Sequence, residues 1–477
     1  MTTIKKSIVI PKKETLILLG NKHTAFELYG LSKPEVDFIN IEIIKHEKKT
    51  VKINQLNRLV FILLIGEKKS NYLITEALRK AGAAITNQLN DNNIKEVTLV
   101  DLIEDANAII ALAEGIALSN YQFLKYKKNA VKETNTLKSI LINSKDVAKA
   151  DIDALQVIVD AVYKARTLVN EPASFLTAVQ LSKEFIQLGK EAGFKVEVFN
   201  KAKIEALKMG GLLAVNKGSV DPPTFTVMEW KPKNSINKQP ILLVGKGVVY
   251  DTGGLSLKPT LNSMDQMKCD MAGAAAVACA LYAVARVKLP LHVIALVPAT
   301  DNRPGGNAYA PGDVITMMSG LTVEMLNADA EGRMILADAL HYAKRFNPEL
   351  LLEFSTLTGA AAAAIGPHGI VTMGTADEDI KNELKDSGCC VYERLAELPF
   401  WDEYDDAIKS DIADIKNVGG NYGGAITAGK FLTRFTDYPF LHFDIAGPAF
   451  LTTTENWRTK GGTGVGVRLL FDYLKKR

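Results

Sequence analysis

From residue 241 onward the chain repeats one pattern: a short apolar run, then a longer stretch with helical spacing. Strands are expected at 241–244, 292–297, 323–326, 350–354 and 441–444, and helices at 271–286, 334–345 and 427–435. Strands that are apolar on both faces and spaced by helices have to lie in a sheet covered on both sides. An α/β fold is therefore predicted. In such sheets ligands bind beyond the carboxyl ends of the strands, so the residues just after each strand are the place to look for chemistry.

The first part of the chain reads differently. It alternates strands at 15–19, 58–64 and 96–100 with helical patterns such as 106–118. A helix is expected at 152–168, followed by Asn170, Glu171 and Pro172, and the proline stops or redirects it. The expected division is 1–165 and 166–477. The first part holds 24 basic and 19 acidic residues, and the whole chain has a net charge of +3. That surplus is too mild to imply nucleic acid, and the lysines at 125–128 read as a solvated helix face. The first thirteen residues lack an apolar stretch of secretory length, and the longest apolar run, 271–285, is shorter than a bilayer span. The expectation is a cytoplasmic protein with reduced thiols and no membrane partner.

The chain has only six histidines and four cysteines, with no C-x-x-C and no H-E-x-x-H. Zinc-finger and disulfide-framework architectures are excluded. Any metal must be held mainly by carboxylates. Gly424 to Phe431 nearly matches a phosphate-binding loop, but Phe431 stands where a hydroxyl must hold magnesium, so nucleotide binding there is rejected. No G-x-S-x-G elbow supplies a serine nucleophile.

The segment boundaries between 245 and 333 carry most of the chemistry. After the strand at 241–244 come Lys246, Asp251, Gly253, Gly254 and Lys258; Asp270 opens the alanine-rich helix; and after 323–326 come Asp329, Glu331 and Arg333. Taken singly, Asp270 reads as a helix N-cap, and Asp329 and Glu331 as acids offsetting a helix dipole. Taken together, four carboxylates at one sheet edge would repel each other unless cations balance them. Two divalent ions supply that balance, and oxygen ligands suit magnesium, manganese and zinc. Paired ions about 3.5–4 Å apart are the usual arrangement for hydrolysis. The lysines supply cations for developing negative charge, or a metal-binding amine if a proton is displaced.

With these residues in place, the sequence resembles the leucyl aminopeptidase (cytosol aminopeptidase) family of two-metal exopeptidases. Asn327-Ala328-Asp329-Ala330-Glu331-Gly332-Arg333 is similar to its Asn-Thr-Asp-Ala-Glu-Gly-Arg motif, and 244–259 to its Val-Gly-Lys-Gly…Asp-Ser-Gly-Gly…Lys block. The segments 169–173, 311–314, 355–360, 412–418 and 444–448 agree. The resemblance implies a smaller N-terminal macro-like α/β domain and a larger α/β/α catalytic domain with a mixed, mostly parallel sheet. It places Lys246, Asp251, Asp270, Asp329 and Glu331 as metal ligands, with Asp251 and Glu331 bridging two ions, and Lys258 and Arg333 as catalytic residues.

The activity so implied is removal of N-terminal amino acids, preferably leucine or other apolar residues. A metal-bridging water attacks, Lys258 acts as electrophile, and bicarbonate held by Arg333 acts as base. The ions are zinc or manganese, with magnesium or cobalt as alternatives. Met271, Leu357, Thr358 and Gly359 are the expected substrate-binding residues, and a homohexamer built as a dimer of trimers is implied. Two other functions stay open at this point: DNA binding as an architectural protein, and hydrolysis of Cys-Gly or other small substrates. The chain departs from the family motif at Ala328, where threonine is usual, and at Thr252, where serine is usual. Ala328 removes a hydroxyl beside two ligand positions, with an expected change in metal affinity of about tenfold.

Overall fold

The computed structural model describes residues 2–65 and 72–477. The chain forms two compact units: Met1–Asp160 with Thr453–Thr459, and Ala161–Thr452 with Lys460–Arg477. The first contains a six-stranded sheet in the order Thr3–Lys6, Ser139–Asn143, Glu96–Asp101, Thr15–Gly20, Leu59–Leu64 and Thr50–Asn54. Its neighbours run parallel except for the last pair. Leu16, Leu18, Val60 and Ile62 anchor its core beside Val36 and Ile39 of the helix Lys33–Ile44. The lysines at 125–128 are exposed, but in a turn and not on a helix.

The second unit is built on a nine-stranded mixed sheet. Its order is Leu395–Glu397, Ile370–Gly374, Phe440–Asp444, Leu350–Ser355, Ile241–Gly245, Val293–Asn302, Thr224–Trp230 and Lys195–Phe199, with Gly247–Asp251 paired alongside Val293–Asn302. The strands at its centre are parallel, as expected for strands buried on both faces. Helices cover those faces, and Leu242, Val244, Leu296 and Leu351 share a core with Ile335, Leu336 and Leu340 of the helix Glu331–Ala343.

The alanine-rich helix Ala272–Val287 lies unusually close to the sheet. A Cβ at Gly273 would meet the Phe354 carbonyl oxygen at 2.0 Å, so only glycine permits this approach. Among the described residues, Met264–Val287 is long and apolar enough to cross a membrane, but 89% of its apolar window is buried within the protein. That burial is the signature of a core helix.

Two strand expectations change in detail. After Lys246 the chain forms a further strand, Gly247–Asp251, that the expected elements did not include. The strand expected at 323–326 is Thr322–Met325, and it belongs to a separate three-stranded sheet with Asp313–Thr316 and Ile415–Lys416. Its alternating burial marks a half-covered strand. Local apolarity therefore identified a strand there without identifying its sheet.

Candidate active site

Lys246 occupies the break between two strands, Ile241–Gly245 and Gly247–Asp251. Its amide donates to the Phe354 carbonyl and its carbonyl accepts from Ala274, which anchors it to the neighbouring strand and to the alanine-rich helix. Its ammonium is buried, 2.8 Å from both Asp270 Oδ1 and Glu331 Oε1, and donates to the Thr356 carbonyl at 3.0 Å. Asp270 ends a short 3₁₀ turn, and its side chain accepts from Lys246 and, at 2.7 Å, from the Thr356 hydroxyl. The helix that follows is capped by Met271, without a side-chain cap bond. The N-cap reading of Asp270 is thereby set aside.

Asp251 ends its strand and is fixed by its own neighbours. Its Oδ1 accepts from the Gly253 amide and from Asn302 Nδ2, both at 2.8 Å. Gly253 has φ +83°, and a Cβ there would lie 2.4 Å from the Ser256 carbonyl, so the turn beside Asp251 requires glycine. Asn302 also donates to the Ala328 carbonyl, which accepts from the Tyr309 hydroxyl as well. The Thr252 hydroxyl donates to the Asn302 carbonyl. Asn302 therefore ties the turn after Gly247–Asp251 to the segment that carries Asp329. Lys258 closes the group, 2.9 Å from Asp251 Oδ2 and 2.5 Å from Asp329 Oδ1. Asp251, Asp329 and Glu331 present carboxylate oxygens within 4.8 Å of one another.

The electrostatics record how crowded these acids are. Burial and the neighbouring Asp251 push Glu331 up to about 8, against the pull of Lys246. Burial pushes Asp270 up to about 6, with Lys246 opposing it. Burial and Asp251 also raise Asp329. Burial works against the charge on Lys246 and Lys258, yet the surrounding carboxylates outweigh it and hold both well above the usual lysine range. Four acids thus share two ammonium groups, and the buried Asp270 Oδ2 and Glu331 Oε2 have no hydrogen-bond partner. Orphaned carboxylate oxygens at this depth are costly unless a cation reaches them. A donor set made mainly of carboxylate oxygens with surplus negative charge fits hard or borderline divalent ions.

Arg333 lies two residues beyond Glu331 in the first turn of the helix Glu331–Ala343. Its Nη1 donates to the Asn417 carbonyl at 2.7 Å, while the buried Nε has no partner. Burial lowers its pKa to about 10, opposed by the charges of Glu331 and Asp444. Of the expected substrate residues, Leu357 and Thr358 follow the strand Leu350–Ser355, and Gly359 opens the next helix. The Leu357 amide and Thr358 hydroxyl both donate to Asp444, at 3.1 and 2.7 Å. Met271 is wholly buried.

Sequence reasoning missed Asn302, Tyr309, Thr356, Asn417 and Asp444 as organisers of this region. Asp444 ends an apolar strand, the kind of position that had drawn attention to the residues after 241–244, whereas Asn302 ends a strand whose last residues are polar. Cys269 and Cys279 are buried, which pushes both thiols up to about 12 and leaves them unreactive.

The chain matches two family profiles: "Cytosol aminopeptidase family, catalytic domain" over residues 163–471, and the N-terminal domain of the same family over 45–130. A "Probable cytosol aminopeptidase" of Chlorobaculum tepidum is 47% identical over 378 residues, covering 76% of this chain and 74% of that one. Another from Chlorobium limicola is 42% identical over 440 residues, covering 87% and 86%. Among solved structures, the "Bottromycin maturation enzyme BotP in complex with Mn" superposes with a TM-score of 0.85 at 28% identity, covering 98% of this chain and 99% of that one.

Proposed function

The chain belongs to the cytosol aminopeptidase family, and we propose that it removes leucine and other apolar residues from peptide N-termini at the cluster around Lys246, Asp251, Asp270, Asp329 and Glu331. It is a hydrolase of that family, whose aminopeptidase activity is metal-dependent. The observation that carries the reading is the cluster's charge: four acids, mostly buried, with two lysines as counter-charges. Those four acids and Lys246 would hold two divalent ions, zinc or manganese, with magnesium or cobalt as alternatives, which would polarise the scissile carbonyl and acidify water. Lys246 would contribute its free amine, with its proton leaving as bound cations neutralise the acids beside it.

The chain's own groups do the rest. Lys258 stays protonated, and its ammonium meets the negative charge that develops on the carbonyl oxygen. Arg333, buried with its Nε unpartnered, is suited to a small anion, and bicarbonate is the expected base. Residues 357–359, with Met271, form the pocket for the first side chain. The catalytic part is 166–477. A homohexamer in the cytoplasm completes the proposal, with nucleic acid and membrane left out as partners.

The test is a panel containing leucine, alanine and glutamate amides, Cys-Gly and N-acetyl-leucine amide. Leucine amide is expected to be hydrolysed fastest and the acetylated form not at all, because the free α-amino group is part of what the site recognises. Equal rates on the free and acetylated forms would refute an aminopeptidase. Preference for Cys-Gly would replace leucine as the substrate class.

A further inference from the structure

Three ionisable side chains lie wholly buried behind the loop at 357–359. The strands Leu350–Ser355 and Phe440–Asp444 run parallel, with Glu353 opposite His442 and Ser355 opposite Asp444. Side chains alternate along strands, so these four share one face, while Phe354 and Phe443 stack on the other at 4.4 Å. His442 Nδ1 lies 2.5 Å from Glu353 Oε2, and its Nε2 lies 4.0 Å from Asp444 Oδ2. Asp444 then reaches the loop: Oδ1 accepts from the Leu357 and Ala446 amides, and Oδ2 from the Thr358 hydroxyl. The Thr358 hydroxyl in turn accepts from the Ala361 amide and caps the helix Gly359–Ile365.

Packing does not account for this arrangement. Buried ion pairs are often matched or bettered by apolar residues of the same volume. We propose that Glu353, His442 and Asp444 form a buried positioning relay that fixes the loop at 357–359 and through it sets the enzyme's selectivity for the first side chain. The proposal rests on the reading of that loop as the substrate pocket. Glu353 anchors the imidazole, the imidazole faces Asp444, and Asp444 holds one backbone amide and one hydroxyl of the loop. Burial raises Asp444 and disfavours its charge, while His442 opposes that effect. Burial likewise works against a charged His442, but Glu353 and Asp444 outweigh it. Arg333, from the helix Glu331–Ala343, is the other charged group whose field reaches both. The imidazole and the loop donors position the Asp444 carboxyl from both sides, and loop atoms held to within about half an ångström are what selectivity requires.

The experiment measures kcat and KM on leucine and alanine p-nitroanilides for His442→Gln, Asp444→Asn and Glu353→Gln, with Leu357→Ala as the loop control and metal content as the check on folding. His442→Gln and Asp444→Asn are expected to raise KM for the leucine substrate about tenfold, with kcat within about threefold, and to shrink the leucine-over-alanine ratio by a similar factor. Glu353→Gln keeps the hydrogen bond but removes the charge, and should give a smaller shift of about threefold. If Asp444→Asn does not fold, the other two variants decide. A uniform fall in kcat on both substrates, with KM and the ratio unchanged, would mean structural support only and would overturn the relay. A shifted ratio in Leu357→Ala without one in the relay variants overturns the relay alone. An unchanged ratio in Leu357→Ala overturns the pocket reading and the relay with it.

Discussion

Lys258→Ala lowers turnover of leucine amide by about 10²–10³-fold and leaves two divalent ions bound per chain. The magnitude is that of deleting one preorganised charge-stabilising donor from a water-poor site. Lys258 is suited to that part because it is mostly buried and ringed by acids that keep it charged. Its ammonium bridges Asp251 and Asp329. Its removal leaves two unpaired carboxylates, which strengthens the case for a cation between them and predicts retained metal. Steady-state kinetics with elemental analysis on the same sample checks both halves. Wild-type turnover in Lys258→Ala would remove the electrophile role, and loss of metal would recast the lysine as a structural counter-charge.

Asp329→Ala produces the opposite pairing: metal and activity are lost together, the latter by at least about 10²-fold. Asp329 is the most exposed of the four acids, at 31% of its side chain. Its removal should therefore disturb the fold least while still breaking the constellation with Asp251 and Glu331. Elemental analysis after dialysis is expected to find fewer than two ions per chain, with the unfolding midpoint of the ion-free protein close to wild type. Full metal occupancy in Asp329→Ala would contradict its assignment as a ligand. The two variants thus separate a residue proposed to hold ions from one proposed to act on the substrate.

Much of the catalytic unit was readable from local pattern. The strand at 241–244 ends at Gly245, and the helix expected at 271–286 spans Ala272–Val287. Long apolar runs bounded by glycine and charge are the strongest local signal. Pairing was not readable, because it depends on residues far apart in sequence. The strand expected at 292–297 continues to Asn302 through Pro298, Thr300 and Asp301, a polar end that only its neighbours Thr224–Trp230 and Gly247–Asp251 explain. The helix expected from 334 starts at Glu331, so that Glu331 and Arg333 fall in its first turn while Asp329 precedes it.

The site shows the same division. Lys246, Asp251, Lys258, Asp270, Asp329, Glu331 and Arg333 stood out because charge follows or interrupts an apolar run. Asn302 and Tyr309 did not, since their partners Asp251 and Ala328 lie 51 and 19 residues away. Glu353 and His442 were legible in principle. A charge inside the buried run at 350–355 is an anomaly whose partner appears only once two strands are laid in register.

The histidine-free cluster of Lys246, Asp251, Asp270, Asp329 and Glu331 is proposed as a two-ion hydrolytic site. Its most direct test strips the protein with a chelator, reloads it separately with zinc, manganese, cobalt and magnesium, and follows leucine amide hydrolysis against ions bound. Activity should vanish on stripping and return as occupancy approaches two ions per chain, with at least one of zinc and manganese effective. Undiminished hydrolysis by the stripped protein would contradict the account.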